Sequence, residues 1–379
     1  VTLYAYPGEE RETRNSLDAY LAGKLHLGGR EHDLTVGVSS TRTTSKSDAF
    51  ASTSNWRHDI ANVHTWDGTA PKPAVSKTGA RNDTLVQQTG LYASARWRLT
   101  EPLSLLTGAR VTRWTSKQKN YDTRGALTGV SARQEVKHKV SPYLGVVYDI
   151  TPSLAAYASH TRIFNPQNHR DVNNVPLKPA VGSNSEVGLK MALAHELDLN
   201  LAIFETRQNN FAVVNADAAP NSLPDGSTPY RTVDGTKGKG FDVELIGKVQ
   251  PDWNLKAALT RAKVTRQESD KLWANFPTWQ LQLGSDYRFS GELRPLQLGG
   301  FLTWQSKLEA YNVPSPSGRV YVTERSKPLL DLYASWDFTE AYRLTLAVTN
   351  ALDKKYWANL DYANYGQPRF FSATFRMAF

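Results

Sequence analysis

Hydrophobic and polar residues alternate with a period of two along most of this chain. The clearest case is segment 278–289, where Trp279, Leu281, Leu283, Tyr287 and Phe289 are separated by polar or small residues. Successive side chains of a β-strand point to opposite faces, so this pattern predicts a strand with one apolar and one polar face. Segments 342–349 and 370–379 repeat it. An apolar strand face requires either a second sheet or lipid to cover it.

The connections between the predicted strands are short and long in strict alternation. The short turns are 28–30, 100–102, 151–153, 194–196, 250–252, 290–292 and 339–341. The long polar segments, read as loops, are 43–82, 117–135, 165–182, 215–236, 266–277, 307–325 and 351–369. About fifteen strands result, and no helical pattern with matching caps separates them. Short turns at one end and long loops at the other are typical of transmembrane antiparallel β-barrels.

The composition agrees with a barrel and weakens other classes. The mean hydropathy is −0.49 and no apolar run approaches 18 residues, so no membrane-spanning helix is expected. The chain has 10 Trp and 17 Tyr but 2 Met, which suits aromatic girdles at the membrane interfaces. We assign Trp97, Trp253, Trp279 and Trp336, which lie on apolar strand faces, to these girdles.

Charge and motifs argue against nucleic-acid binding and catalysis. The net charge is +9, but Lys and Arg are scattered, which favours a solvated or lipopolysaccharide-facing role over nucleic acid. There is no cysteine, and the pairs His26/His32 and His58/His64 lack metal-ligand spacing, so neither a metal site nor a cofactor is expected. No hydrolase or phosphate-loop motif occurs. The glycine-rich segment 235–240 is predicted to be a flexible connection, or ascent, that leads into the next strand.

Several motifs carry a resemblance to one family. They are Asn-Ala-Leu-Asp-Lys-Lys-Tyr at 350–356, Gly-Gln-Pro-Arg at 366–369, the terminal Phe379, and segments 141–159, 164–167, 177–182, 186–190 and 239–244. Together they resemble TonB-dependent outer-membrane siderophore receptors over 141–379. The resemblance implies an all-β, 22-stranded transmembrane barrel with an N-terminal plug that carries the TonB box. Residues 1–379 would then be a single domain, the C-terminal portion of that barrel.

The strand count adds an expectation about the start of the chain. Counting back from a periplasmic C-terminus, the first strand descends from outside, whereas closed single-chain barrels have even strand numbers. An odd count predicts that the plug and the first strands are missing here.

The family resemblance implies a function. A monomeric receptor in the bacterial outer membrane, surrounded by lipid and lipopolysaccharide, would bind a ferric siderophore outside the cell and import it with energy delivered through TonB. Ferric hydroxamates such as coprogen, alcaligin or pyoverdine-type chelates are the expected cargo. The alternatives are a passive porin, a receptor for haem or cobalamin, an outer-membrane enzyme, and a soluble sandwich or propeller. The unequal loop lengths disfavour the last, and the absence of catalytic motifs disfavours the enzyme.

Aromatic residues on loops and outer strand ends are the candidate ligand residues. Siderophore chelates are bulky, partly apolar and rich in oxygen, so flat rings with a few donors suit them. The candidates are Trp56, Trp66, Trp114, Tyr121, Phe164, Trp273, Tyr311 and Trp357. Each of them has an alternative role as a girdle or packing residue. The family-motif positions Pro166, Gln167, Glu186, Gly188, Asn350 and Asp353 are expected to stabilise strand ends rather than contact a ligand.

Overall fold

A computed structural model of the chain describes residues 2–53, 55–61, 66–67, 69–193, 196–224, 226–233, 235–266, 277–315, 318–360 and 364–378. Its elements are almost all β-strands. In chain order they are β1 (Thr2–Tyr4), β2 (Glu9–Leu27), β3 (Arg30–Phe50), β4 (Arg57–Asp59), β5 (Lys77–Arg98), β6 (Leu103–Tyr121), β7 (Leu127–Thr151), β8 (Leu154–Asn165), β9 (Ala180–Leu193), β10 (Leu197–Asn209), β11 (Phe211–Val214), β12 (Tyr230–Val233), β13 (Thr236–Gln250), β14 (Trp253–Arg266), β15 (Trp279–Arg288), β16 (Leu296–Gln305), β17 (Leu308–Ser315), β18 (Gly318–Glu324), β19 (Lys327–Asp337), β20 (Tyr342–Thr349), β21 (Trp357–Asn359), β22 (Asn364–Tyr365) and β23 (Phe370–Met377).

Fifteen of these strands form one antiparallel sheet, in the order β2-β3-β5-β6-β7-β8-β9-β10-β13-β14-β15-β16-β19-β20-β23. Each strand pairs with the next long strand of the chain, so the sheet is an up-and-down meander. A three-residue 3₁₀ helix, Gly291–Leu293, replaces one predicted short turn. Within the described residues, no helix is long and apolar enough to cross a bilayer. The count of about fifteen antiparallel strands is confirmed.

One face of the sheet carries the apolar residues, and no layer formed by the described residues covers it. Ile203, Phe375 and Leu21 are 65%, 61% and 82% exposed. The register places apolar side chains of neighbouring strands side by side, such as Leu344 opposite Phe375. Since opposite residues of an antiparallel pair share a face, a continuous apolar surface results. This surface is what lipid contact requires, and it excludes the sandwich alternative.

The opposite face is polar and densely hydrogen-bonded. Asp337 accepts hydrogen bonds from Arg288, at 2.8 Å, and from Arg343. Two strands away, Asp286 accepts from Asn254 and Gln297 at 2.8 and 2.9 Å. We call this side the inner face and the apolar side the outer face.

The four girdle residues lie on the outer face, as predicted. Trp97, Trp253 and Trp336 are opposite Leu105, Tyr287 and Leu344, near the short-turn end of the sheet. The Trp253 indole donates a hydrogen bond to Ser285 at 2.8 Å, so its polar atom is satisfied. At the long-loop end, Trp279 is joined by Trp304, which the sequence analysis did not assign. The tryptophans therefore mark both edges of the apolar band.

Strands extend into both ends of two of the predicted long loops, which corrects the bounds of these loops. Strand β3 continues to Phe50 and β5 begins at Lys77, so paired backbone occupies both ends of segment 43–82. Strands β6 and β7 continue into segment 117–135 until a turn at 122–126, where the Asp122 carboxylate accepts the Ala126 amide at 2.8 Å. These extensions rise past the apolar band, where both faces meet water and hydrophobic alternation is lost.

Glycines on the inner face make room for aromatic rings of neighbouring strands. The Tyr157 ring lies over Gly188, where a Cβ would come within 2.6 Å of a ring carbon and 2.4 Å of the Leu201 carbonyl oxygen. Tyr143 over Gly108 and Tyr333 over Gly299 repeat this arrangement. Gly145, on the same face, differs, since a Cβ there would meet nothing closer than 3.6 Å. In these three pairs the tyrosine ring thus occupies space that a side chain on the neighbouring strand would otherwise fill.

We expect Gly188→Ala to destabilise the sheet by about 1–3 kcal/mol, because the added methyl group overpacks the Tyr157 ring. Urea unfolding in detergent, followed by the loss of heat-modifiable migration on gels, measures this. The matched control is Gly145→Ala, for which the change stays within about 1 kcal/mol because a strand residue loses less entropy as Ala than as Gly. Equal effects of the two substitutions would contradict the ring-packing explanation.

Candidate functional site

The long connections all lie at one end of the sheet, because alternate connections of a meander share an end. The described parts of these connections contain paired strands of their own, β11 with β12, β17 with β18, and β21 with β22, while β4 pairs with β1, which precedes β2. The long-loop end is therefore a structured surface rather than a set of open loops. Binding residues are often carried on such loops above a rigid scaffold.

Two loops, 166–179 and 210–233, pack against each other; we call them the crossed loops. The His169 ring stacks on Tyr230 with centroids 3.9 Å apart, and the Tyr230 amide donates to the Arg170 carbonyl oxygen at 2.7 Å. The Arg170 guanidinium donates to the Ser227 hydroxyl at 2.9 Å. Leu223 and Pro229 are buried inside this arrangement. Burial also lowers the pKa of His169 from its ordinary value of 6.5.

The crossed loops rest on the sheet. The Gln134 amide donates to the His169 carbonyl oxygen at 3.5 Å, and Gln134 lies opposite Ser116 on β6. Trp114, two residues before Ser116 on the same face, is 6% exposed. This leaves the candidate Trp114 little surface for a ligand and makes it a packing residue at the base of the long-loop end.

A second loop cluster joins β17–β18 to segment 350–369. Trp357 packs with Leu308 and Val322 around the buried Leu360, and its ring stacks on Tyr365 at 4.3 Å. The Lys327 ammonium group donates to the Trp357 carbonyl oxygen at 3.1 Å. The candidate Trp357 is thus held at the surface by packing, with its ring half-buried.

The other candidates are spread over several connections. Trp56 and Trp66 are half-buried, and the Trp66 indole donates to the Thr69 carbonyl oxygen at 2.7 Å. Tyr121 ends β6 with the Arg81 guanidinium 4.4 Å from its ring centroid. Phe164, opposite Val181, falls on the outer face of β8.

For two candidates little can be described. Trp273 lies outside the described residues. Tyr311 belongs to β17, of which only the backbone is described at that position. Among the residues that the structure describes, no ring contact joins two of the predicted candidates. The candidates that the structure describes therefore lie on separate connections of the long-loop end, and their role in ligand binding stays a prediction.

Asn350 organises the last long loop. Its side chain donates to the carbonyl oxygens of Lys354 and Gln367 at 2.9 and 3.0 Å and accepts the Lys354 amide at 2.9 Å. It is 5% exposed, and its backbone is left-handed, with φ of 47°. Asp353, also left-handed, accepts the Arg369 amide at 3.2 Å. The prediction that these two motif positions stabilise strand ends is confirmed.

Two other motif positions upstream are also structural. The Gln167 amide donates to the carbonyl oxygens of Asn210, at 2.9 Å, and of Lys178, which ties the two crossed loops to each other where they leave the strands. Glu186 accepts the Tyr157 hydroxyl at 2.5 Å on the inner face. The glycine-rich segment is not a flexible ascent, because Thr236 already begins β13.

The sequence analysis missed His169, Arg170 and Tyr230, which form the centre of the crossed loops. A local signal was present: the Asp171 side chain accepts the Asn173 and Val175 amides at 3.0 and 2.8 Å, a turn that Asp favours. Nothing local indicated that this turn meets Tyr230. Within the described part of the chain, no three His, Asp or Glu side chains are placed to hold a metal ion.

We expect Asn350→Ala to loosen segment 351–369 while the strands stay folded. The substitution leaves buried backbone groups without partners, at a cost of about 1–3 kcal/mol. Hydrogen exchange followed by mass spectrometry should show faster exchange in that segment. Lys355→Ala, an exposed change in the same loop, serves as the control and should leave exchange unaltered. Unchanged exchange in Asn350→Ala would refute the role of this side chain.

The crossed loops should loosen in acid. Because burial lowers the pKa of His169, protonation opposes the folded arrangement; its stabilising contribution is complete above the ordinary pKa and is lost as pH falls through the lowered one. Proteolysis within 166–179 should therefore accelerate below about pH 6, near where a free imidazole titrates. His169→Phe should remove the acceleration, whereas His160→Phe, at an exposed position, should keep it.

The comparisons with known proteins agree with the geometry. The family described as TonB dependent receptor-like, beta-barrel matches residues 2–351. The ferripyoverdine receptor of Pseudomonas aeruginosa is 33% identical over 375 residues, covering 96% of this chain and 44% of that protein. A ferric-pyoverdine 358 receptor of Pseudomonas putida is 32% identical, covering 97% of this chain and 44% of the relative. This chain thus spans less than half the length of these relatives.

A solved structure shows the same fold. The pyoverdine outer membrane receptor of Pseudomonas aeruginosa bound to pyoverdine matches with a TM-score of 0.86 and 28% identity, covering 100% of this chain and 55% of that one. The sheet with its apolar outer face, polar inner face and loops at one end therefore corresponds to part of a barrel wall. On the family match over 2–351, the chain belongs to the TonB-dependent receptor β-barrels of the bacterial outer membrane.

Proposed function

We propose that this chain provides wall and outer loops for a receptor that binds a ferric siderophore outside the cell and imports it with TonB-coupled energy. The observation that carries the proposal is the structured long-loop end, which stands above the apolar band and presents aromatic rings and hydrogen-bonding groups. The relatives are named as receptors for ferripyoverdine and a ferric pyoverdine, which supports this class of cargo.

The chemistry of the long-loop end suits a large, oxygen-rich chelate. Trp56, Trp66 and Trp357 are half-buried, so each is held in place by packing while part of its ring stays accessible. Preorganised rings give contact area at little cost in conformational entropy. The crossed loops add carbonyl, amide and guanidinium groups. We propose that the bound iron is cargo inside its chelate, that no protein side chain ligates it, and that no covalent bond is made or broken.

The remaining parts of the proposal concern the partners. We infer a monomer whose apolar outer face contacts lipid and lipopolysaccharide, with TonB as the energy-coupling partner and no nucleic acid. A passive porin, or a receptor for haem or cobalamin, is the competing function. Pyoverdine-type chelates are favoured over these because both relatives reported above carry that cargo in their names.

Ferripyoverdine should quench the tryptophan fluorescence of the detergent-purified protein saturably, whereas iron-free pyoverdine should bind more weakly. Free tryptophan corrects for light absorbed by the chelate. Trp66→Leu and Trp357→Leu should each raise Kd about threefold to tenfold, the effect of losing one aromatic contact. Trp253→Leu, in the girdle at the opposite end, is the matched control and should leave Kd unchanged.

Other outcomes decide between the alternatives. Saturable quenching by haem or cobalamin, without quenching by ferripyoverdine, would show that the proposed cargo is wrong and that the quenching ligand is the cargo instead. Failure of every ferric chelate to bind, while solutes leak passively through liposomes containing the protein, would favour the porin.

A further inference from the structure

Six basic residues lie together on the outer face of the five adjacent strands β8, β9, β10, β13 and β14, and all of these strands except β9 contribute to the set. We call them the outer basic strip: Arg162 of β8, Arg207 of β10, Lys237 and Lys239 of β13, and Arg261 and Lys263 of β14. The register places Lys237 opposite Arg207 and Lys239 opposite Lys263, so the side chains share one face. Residues that are up to 101 positions apart in the chain, Arg162 and Lys263, thus line one surface.

The strip lies directly above the apolar band. On β10, the outward residue Ile203 is followed by Glu205; on β13, Lys239 is the next outward residue beyond Phe241. Arg261 lies opposite Phe241, and its guanidinium is 5.3 Å from the centroid of the Trp279 ring. This tryptophan belongs to the girdle at the long-loop end. The strip is therefore at the height where the headgroups of the outer leaflet begin.

The positive charge of the strip is only partly neutralised. Glu205 is its one acidic neighbour on the outer face of these described strands, with Arg207, Lys239 and Lys237 at 2.6, 3.1 and 3.7 Å. The other outward positions at this level include Ser183, Ser185 and Thr265. The side chains of Lys239 and Arg207 are 60% and 56% exposed, so their charged groups are available to an anion.

An apolar groove runs below the strip. Ala158 lies between Val146 and Val187 of its neighbouring strands. Because the Ala158 side chain is smaller than these two, it leaves a depression with a volume of about 560 Å³. Its outward lining also includes Leu144 and Ile203, with His160, Glu205 and Lys239 at the upper rim. A cationic rim above an apolar groove matches a molecule with an anionic head and a hydrocarbon chain.

We propose that the outer basic strip and this groove form a binding site for a phosphorylated glycolipid of the outer leaflet. Its phosphates contact Lys239, Arg261 and Lys263, and one acyl chain lies along Ala158 and Val187. Each cation near a charged membrane surface adds to the attraction, and Arg forms bidentate hydrogen bonds with phosphate. The inference rests on the proposed contact with lipopolysaccharide and gives that contact a defined place on the barrel.

A soluble polyanion fits the site less well than a lipid. The cations lie at the edge of the apolar surface rather than on the exposed loops, and the groove beneath them is lined mainly by apolar side chains. Basic residues on the outer face of β3 and β6, such as Arg42, Lys46 and Lys117, provide a comparison. They lie on the extended parts of their strands, where Lys46 is opposite Asp83, and they are well above the band.

Native mass spectrometry of the protein, released from detergent after incubation with bis-phosphorylated lipid A, tests the site. The triple variant Lys239→Gln, Arg261→Gln and Lys263→Gln should retain lipid A at least about tenfold less than the unaltered protein, because three cations at a membrane surface are lost. Lipid A from which both phosphates have been removed should be retained about as weakly by the unaltered protein.

The matched control is Arg42→Gln, Lys46→Gln and Lys117→Gln, which removes the same charge from the same face and should leave retention unchanged. Equal loss in both triple variants would mean a diffuse charge effect and would overturn the site, as would equal retention of the two lipids. Kd for ferripyoverdine, measured on the same samples, should be unaltered in the strip variant. Lipid and siderophore binding can therefore fail independently, so either proposal can be rejected alone.

Discussion

The structure depends on one constraint: inside a bilayer, every backbone donor and acceptor must be paired within the protein. The continuous antiparallel ladder from β2 to β23 meets this requirement between neighbouring strands and sets the register of all fifteen strands. Once the register is set, the period of two assigns each side chain to lipid or to the interior. Few hydrophobic residues of the described chain are buried, because the apolar side chains lie on the outer face rather than in a core.

The same constraint explains which strands the sequence could predict. Where a strand crosses the bilayer, alternation is required, and segments 278–289 and 342–349 were readable for that reason. Above the bilayer both faces meet water, so the ladder of β3 with β5 continues through Thr43 and Ser45 with no apolar rhythm. These stretches were predicted to be loops because the backbone hydrogen bonds that extend the strands there do not require polar and apolar side chains to alternate.

The candidate site divides in a similar way. Residues whose role is local could be identified from a motif: Asn350 and Asp353 adopt left-handed φ, which Asn and Asp tolerate, and their side chains bond within one loop. The contact of His169 with Tyr230 joins loops separated by 61 positions and has no signature in either loop. Trp114 was assigned by residue type, but its burial depends on what lies against β6. The arrangement of side chains at the long-loop end is thus set by loop packing, which alternation does not encode.

Charge shows how a dispersed pattern becomes a surface. In the sequence, the net charge of +9 is spread over single Lys and Arg residues, which indicates no particular partner. In the sheet, the pairing register places Arg207, Lys237 and Lys263 on one face. Asp242 and Glu244 of β13 lie on the opposite face. Because a shift of one residue in register would exchange these faces, the ladder that pairs the backbone groups also decides which charges lie on the outer face.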